Sequence, residues 1–286
     1  MQLDPHDIPD FIYKSARANE HFKSLDVEVQ AFFDTNPYDT VCDRDLETGD
    51  YLFRMRVLRQ PPHRLALLIG DTIYNLRCVL DHLIWALSVH QDPNADSPTE
   101  FPIFFKKRSY RQPTHDGSLS HRSGLYKVRH LDKATQAAVE SLQPYHQTDR
   151  TRAEHPLWLL HELSNADKHR QLHLVGVVGE KARIMAVSAE NAEIVASEIA
   201  YGPAEDGAII ARVRVGSLDP NRSGKVNLNM YLSPTIAFSQ RGPGGGRLVL
   251  PTLATIAQAV AVASSELCHV AGLPYALQVN ILPSMG

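Results

Sequence analysis

The chain has 286 residues, 43% of them apolar and 21% charged, with a formal net charge of −3. These values exclude disorder as the main state, and the near-neutral balance argues against a DNA-binding protein with a strong basic field. Three widely spaced cysteines, Cys42, Cys78 and Cys268, argue against a disulfide scaffold or a thiolate zinc site and fit a reducing compartment.

The opening MQLDPHDIPD is acidic, carries two prolines and does not read as a secretory signal. No stretch approaches 18 uninterrupted apolar residues, and LALLIG and ATIAQAVAVA have the length of core-helix segments. The expectation is a soluble, cytoplasmic protein with no membrane partner. Charge is uneven: residues 1–60 hold 7 basic against 12 acidic side chains, and the rest is close to balanced.

From about Pro9 to Phe33, Ile12, Ala16, Phe22, Leu25, Val29 and Phe32 recur at helical intervals. Next, Tyr38–Val41 and Tyr51–Leu58 flank the turn-rich RDLETGD and read as a β-hairpin. Pro61 and Pro62 introduce the strongest element, a helix over residues 63–90, whose Leu65, Ile69, Ile73, Leu76, Leu80, Leu83 and Leu87 form one stripe. A roughly opposite stripe carries Asp71, Asn75, Cys78, His82, Trp85 and Val89, so both faces are expected to be buried. The short apolar FPIFF follows. Residues 106–130 look irregular and basic, with seven Lys and Arg against the single Asp116, and residues 131–143 and 156–170 are again helical.

Near Leu172 the pattern changes. LHLVGVVG, ARIMAVSA, AEIVASEIA, AIIARVRV and KVNLNMYL are short β-branched runs separated by turn residues such as Gly202-Pro203, and they predict antiparallel strands. After GPGGG comes a last helix, opened by Pro251 and stopped near Gly272. The expected class is α+β: a helical bundle with a hairpin insertion over residues 1–173, then an antiparallel sheet and a closing helix over 174–286.

The 14 histidines concentrate in the helical part, with eleven between His63 and His173. Histidine moves protons near neutrality and binds metals, which points the search for chemistry to the bundle. Arg77-Cys-Val-Leu-Asp-His82 sits on the long helix. An arginine and a histidine so spaced resemble the motif helix of the HEPN superfamily. That resemblance implies a dimeric, metal-independent endoribonuclease or an RNA-binding relative, with no cofactor and with Arg77 and His82 as its catalytic residues. Arginine would hold the phosphate while histidine moves a proton. Cys78 departs from the family's preference for a polar residue after the arginine, and the likeness covers about 30 residues. A plain ion pair between Arg77 and Asp81, one turn apart, competes with it.

Asn165-Ala-Asp-Lys-His-Arg170 ends the helix over 156–170. Together, LRCVLDHLIW and ELSNADKHR resemble a paired signature of bacterial proteins for which the likeness implies no activity. Asp71, Asn75, Asn165, Lys168, His169 and Arg170 are the expected substrate-binding residues, with Lys168 and Arg170 able to form an anion pocket for phosphate or carboxylate. The basic stretch 106–130, with Tyr110 and Tyr126, would attract RNA. The rival reading is a non-catalytic protein whose polar helix face is a structural network or a small-anion site. A third, a metal-dependent hydrolase or oxygenase, would use His82, His161 and His169. No P-loop, dinucleotide fingerprint or nucleophile elbow is present.

Overall fold

A computed structural model describes residues 9–96, 99–169, 172–179, 181–203, 205–219, 221, 224–275 and 277. The chain forms two compact units. The helical one comprises the chain as far as Asp26, Ala66–Leu172 and the chain from Leu250; the other comprises Val27–Leu65 and His173–Val249.

Helix α1 (Asp10–Asp34) buries Phe11, Ala18, Phe22, Leu25, Val29 and Phe32. Its first two turns present Phe11 and Ser15 inward, where the sequence suggested Ile12 and Ala16. Asn36, in the left-handed region with φ 49°, and Pro37 end it. Helix α2 (His63–Gln91) buries all seven residues of the expected leucine and isoleucine stripe. Its opposite face is not uniformly buried: Asn75 is covered, whereas Trp85 and Val89 are exposed.

In the helical unit, α1 and α2 run antiparallel, because Asp10 approaches His82 and His21 approaches Asp71. Two single turns, α3 (Lys107–Tyr110) and α4 (Gly124–Lys127), lie in the stretch that looked irregular. Helix α5 (Lys133–Ser141) is capped by Asp132, whose side chain accepts from the Thr135 N–H at 2.7 Å. Helix α6 (Pro156–His169) crosses α2 so closely at Gly70 that a Cβ there would lie 2.5 Å from Asp167 Oδ1. The apolar FPIFF lies in an extended segment between these helices. Its Phe101 and Ile103 are buried, and Gln143 satisfies its backbone by accepting from Phe104 N and donating to Pro102 O.

Helix α7 (Val249–Val270) reaches a mean hydropathy of 1.3 over an 18-residue window, enough by length and composition for a membrane span. Half of that window is buried inside the fold, and Leu253, Ile256, Ala257, Val260 and Leu267 form its inward face. Core helices satisfy the same criterion.

The second unit is built on antiparallel strands. The hairpin β1 (Tyr38–Arg44) and β2 (Tyr51–Val57) pairs Tyr38 with Val57 and Arg44 with Tyr51. The later strands are β3 (Leu174–Val178), β4 (Arg183–Glu190), β5 (Ala192–Ile199), β6 (Gly202–Pro203), β7 (Ile209–Ser217), β8 (Lys225–Tyr231) and β9 (Pro234–Phe238). They form a four-stranded sheet in the order β1-β2-β7-β5, a three-stranded sheet β6-β3-β9 and the pair β4-β8. The α+β class therefore stands, with a different grouping along the chain. A cut at residue 173 would place the hairpin with the helices, yet β2 pairs with β7 and makes it part of the sheet, while α7 returns to the helical unit. Main-chain pairing decides this, and no side-chain pattern announces it. Strand β9, unforeseen behind Pro234, pairs with β3 over its full length; Gly202-Pro203, read as a turn, pairs with Val177 and Val178.

Candidate functional site

Arg77 and Asp81 are one turn apart on α2, so their side chains meet on one face. Arg77 donates from Nε to Asp81 Oδ2 at 3.1 Å and from Nη2 to Oδ1 at 2.8 Å. Nη2 also donates to the Phe101 carbonyl at 2.7 Å, and the Phe101 N–H donates to Asp81 Oδ1 at 3.0 Å. The arginine side chain is only 13% exposed and the aspartate 29%. Burial pushes the Asp81 carboxyl up from its ordinary value, against the pull of Arg77 and the Phe101 N–H toward the ionised form. Arg77 Nη1 is buried and has no hydrogen-bond partner among the described residues.

This pair forms one wall of a pocket of about 190 Å³ inside the helical unit. Glu100, Phe101 and Ile103 of the extended segment, Lys127 of α4, and His161, Ser164, Asn165 and Lys168 of α6 complete it. Lys127 is ion-paired with Glu100. Burial works to raise the Glu100 carboxyl, but the hydrogen bond and charge of Lys127, with Arg77 and Lys168, carry it below its ordinary value. Both carboxylates are thus matched by a cation. Lys168 is the third cation in the lining, and it forms no ion pair among the described residues.

His161 reports the same field. Burial first, and then Arg77, Lys127 and Lys168, push its imidazole down to about 4, so the ring is neutral near pH 7. Asn165 Nδ2 lies 3.0 Å from His161 Nε2; an amide nitrogen only donates, so Nε2 accepts and the ring proton is on Nδ1. The ring stacks on Trp158 with centroids 5.1 Å apart.

A more open groove of about 430 Å³ adjoins the pocket and shares Ile103, Lys127 and His161 with it. Phe104, Phe105 and Trp158 supply its apolar surface, and Lys106 and Arg122 its charged surface. Phe105 and Trp158 rings are 4.9 Å apart.

Of the residues expected at a site, Arg77, Asn165 and Lys168 converge here, together with His161 of the metal-dependent reading. His82 does not line this pocket. Five residues turn an α-helix by about 140° relative to Arg77, and His82 lies beside Asp10, Nδ1 to Oδ2 3.9 Å. Asp71 faces His21 at 3.8 Å, and Asn75 is buried, donating to the Asp71 carbonyl. His169 is exposed at the end of α6, and Arg170 lies outside the described residues. Among the described residues no three His, Cys, Asp or Glu side chains gather where they could hold a metal ion, so His82, His161 and His169 do not form the donor set of the metal-dependent reading.

In the stretch 106–130, Lys106, Lys107, Arg108 and Arg122 are exposed, whereas three other cations are ion-paired. Arg111 pairs with Glu140, Lys127 with Glu100 and Arg129 with Asp96, partners that lie outside the stretch itself. His130 sits between Asp92 at 2.5 Å and Asp96 at 2.6 Å. Glu100 and Ser164 in the pocket and Trp158 in the groove went unforeseen as lining residues. Only Trp158 carried a local signal, three residues before His161 on one helix.

No protein-family model matches the chain, and neither a curated protein nor a solved structure is significantly similar to it.

Proposed function

We propose that this protein binds a small anion, without catalysis, in the Arg77–Lys168 pocket, on a frame of internal ion pairs. The observation that carries this reading is the surplus cation: Asp81 and Glu100 are matched by Arg77 and Lys127, which leaves Lys168 unmatched beside a neutral His161. Asn165 and the neutral His161 add uncharged polar groups to the lining; Asn165 and Lys168 are exposed, whereas the Arg77 guanidinium is largely buried, where a charge-assisted bond gains most. The test is thermal unfolding with sodium phosphate or sodium acetate at constant ionic strength. Either anion should raise Tm, and Lys168→Met should remove the rise while leaving the anion-free Tm near its starting value. An equal rise in Lys168→Met, or none with both anions, refutes the reading.

A second reading keeps the HEPN-like ribonuclease, completed by Arg77 and His82 across two protomers. It is favoured by the exposed Leu67, Tyr74, Trp85 and Val89, which with half-buried Cys78 follow one line of α2 at steps of four and seven residues. Such a line suits a second copy of the helix. Sedimentation as a dimer, and RNA cleavage in EDTA lost in His82→Ala, would support it. A monomer without cleavage would end it.

A further inference from the structure

The pocket and the adjoining groove are one site with two compartments, and we infer that its ligand is an aromatic monocarboxylate. This rests on the anion-binding reading and names the ligand class. Continuity comes from three shared residues, Ile103, Lys127 and His161, which line both spaces. The inner space, about 190 Å³, is small for a whole organic ligand and suits its charged head; the outer, about 430 Å³, brings the two into the range of small-molecule sites.

Charge sets the valence of the head. Within the inner lining, three cations against two carboxylates, with His161 neutral, leave one positive charge beside the head; Lys106 and Arg122 belong to the outer lining. A monoanion balances it, whereas a phosphate dianion would leave a net negative charge beside Glu100 and Asp81. The outer wall sets the body. Trp158 stacks on His161 and packs against Phe105 at 4.9 Å, which gives a continuous surface of ring faces and edges on which a flat apolar group gains contact. Among the described residues, the uncharged polar groups of the outer lining are Ser109, the neutral His161 and the Trp158 indole N–H, and two of these three belong to rings.

The chain has two tryptophans, and Trp85 is exposed on α2 away from both compartments, so Trp85→Phe leaves Trp158 as the sole reporter. In that variant, 3-phenylpropionate should change Trp158 fluorescence and bind about tenfold or more tighter than acetate, because only the former buries a ring. 3-Phenylpropan-1-ol, the uncharged body, should bind at least tenfold more weakly than 3-phenylpropionate. By calorimetry, Trp158→Leu, or Phe105→Leu if that variant fails to fold, should bring 3-phenylpropionate down to the acetate level and leave acetate unchanged. If acetate or phosphate binds as tightly as 3-phenylpropionate and Lys168→Met abolishes it, the anion site stands and the aromatic compartment is wrong. If no anion binds, both readings fail.

Discussion

Arg77 and Asp81 grip Phe101 between them: the guanidinium donates to the Phe101 carbonyl while the carboxylate accepts from its N–H. Two side chains of one helix thereby fix both polar groups of a residue twenty or more positions away in an extended segment with few backbone partners of its own. Removing one member leaves a largely buried charge and one backbone group of Phe101 without its partner. Arg77→Leu and Asp81→Leu should each cost about 3 kcal/mol, and the double variant should cost less than the sum, as for other buried ion pairs. Urea denaturation of the four proteins measures this, and strict additivity would show that the pair does not act as a unit.

His161 should make the fold acid-sensitive. Its folded-state value, about 4, lies below the ordinary 6.5, so the neutral form is the one the fold favours. The stability it confers is present above pH 6.5 and is lost as the pH falls toward 4. Its ring resonances should titrate near pH 4, and His161→Gln should flatten the decline in stability across that window. A midpoint near 6.5 would contradict the burial argument.

Gly124 opens α4 directly beneath the buried Tyr110 ring, and a Cβ at this position would fall inside the contact distance of Tyr110 Cδ2 and Cε2. Gly124→Ala must displace a ring that packs against Phe104 and Tyr145, so it should destabilise by about 1–3 kcal/mol despite alanine's helix preference. Adding Tyr110→Leu should shrink the further cost of Gly124→Ala; chemical denaturation of the single and double variants tests this.

In the sheet unit, Asp50 accepts from Arg214 Nε at 3.1 Å and from Arg212 Nη1 at 3.3 Å. The Arg214 hydrogen bond leads, with Arg212 adding to it, in holding the carboxyl below its ordinary value against the opposing effect of desolvation. The resulting stability is present above the ordinary carboxylate range and is lost as the pH falls through the lowered value. Asp50→Asn should therefore reduce the drop in stability between pH 7 and pH 3. An unchanged drop would assign the acid sensitivity to other groups.

The sequence by itself determined the elements that one periodicity can carry. The leucine and isoleucine stripe of α2, the hairpin, α5, α6, α7 and most strands follow from residues that repeat at 3.6 or 2 positions; the helices bury that stripe, whereas β4 and β5 leave Met185, Val187 and Val195 exposed. It also supplied Arg77, Asn165 and Lys168 as candidates, since cations and amides at helix positions are visible in one dimension. Only the tertiary structure decided which of them meet. Helical rotation separates His82 from Arg77, and the extended segment delivers Glu100 and Phe101 to the pocket without any periodic signal. The pairing of β2 with β7, across more than 150 residues, likewise rests on backbone hydrogen bonds, which every residue but proline offers equally. Local pattern specifies elements; long-range pairing and burial assemble the pocket, and burial is also what keeps His161 neutral.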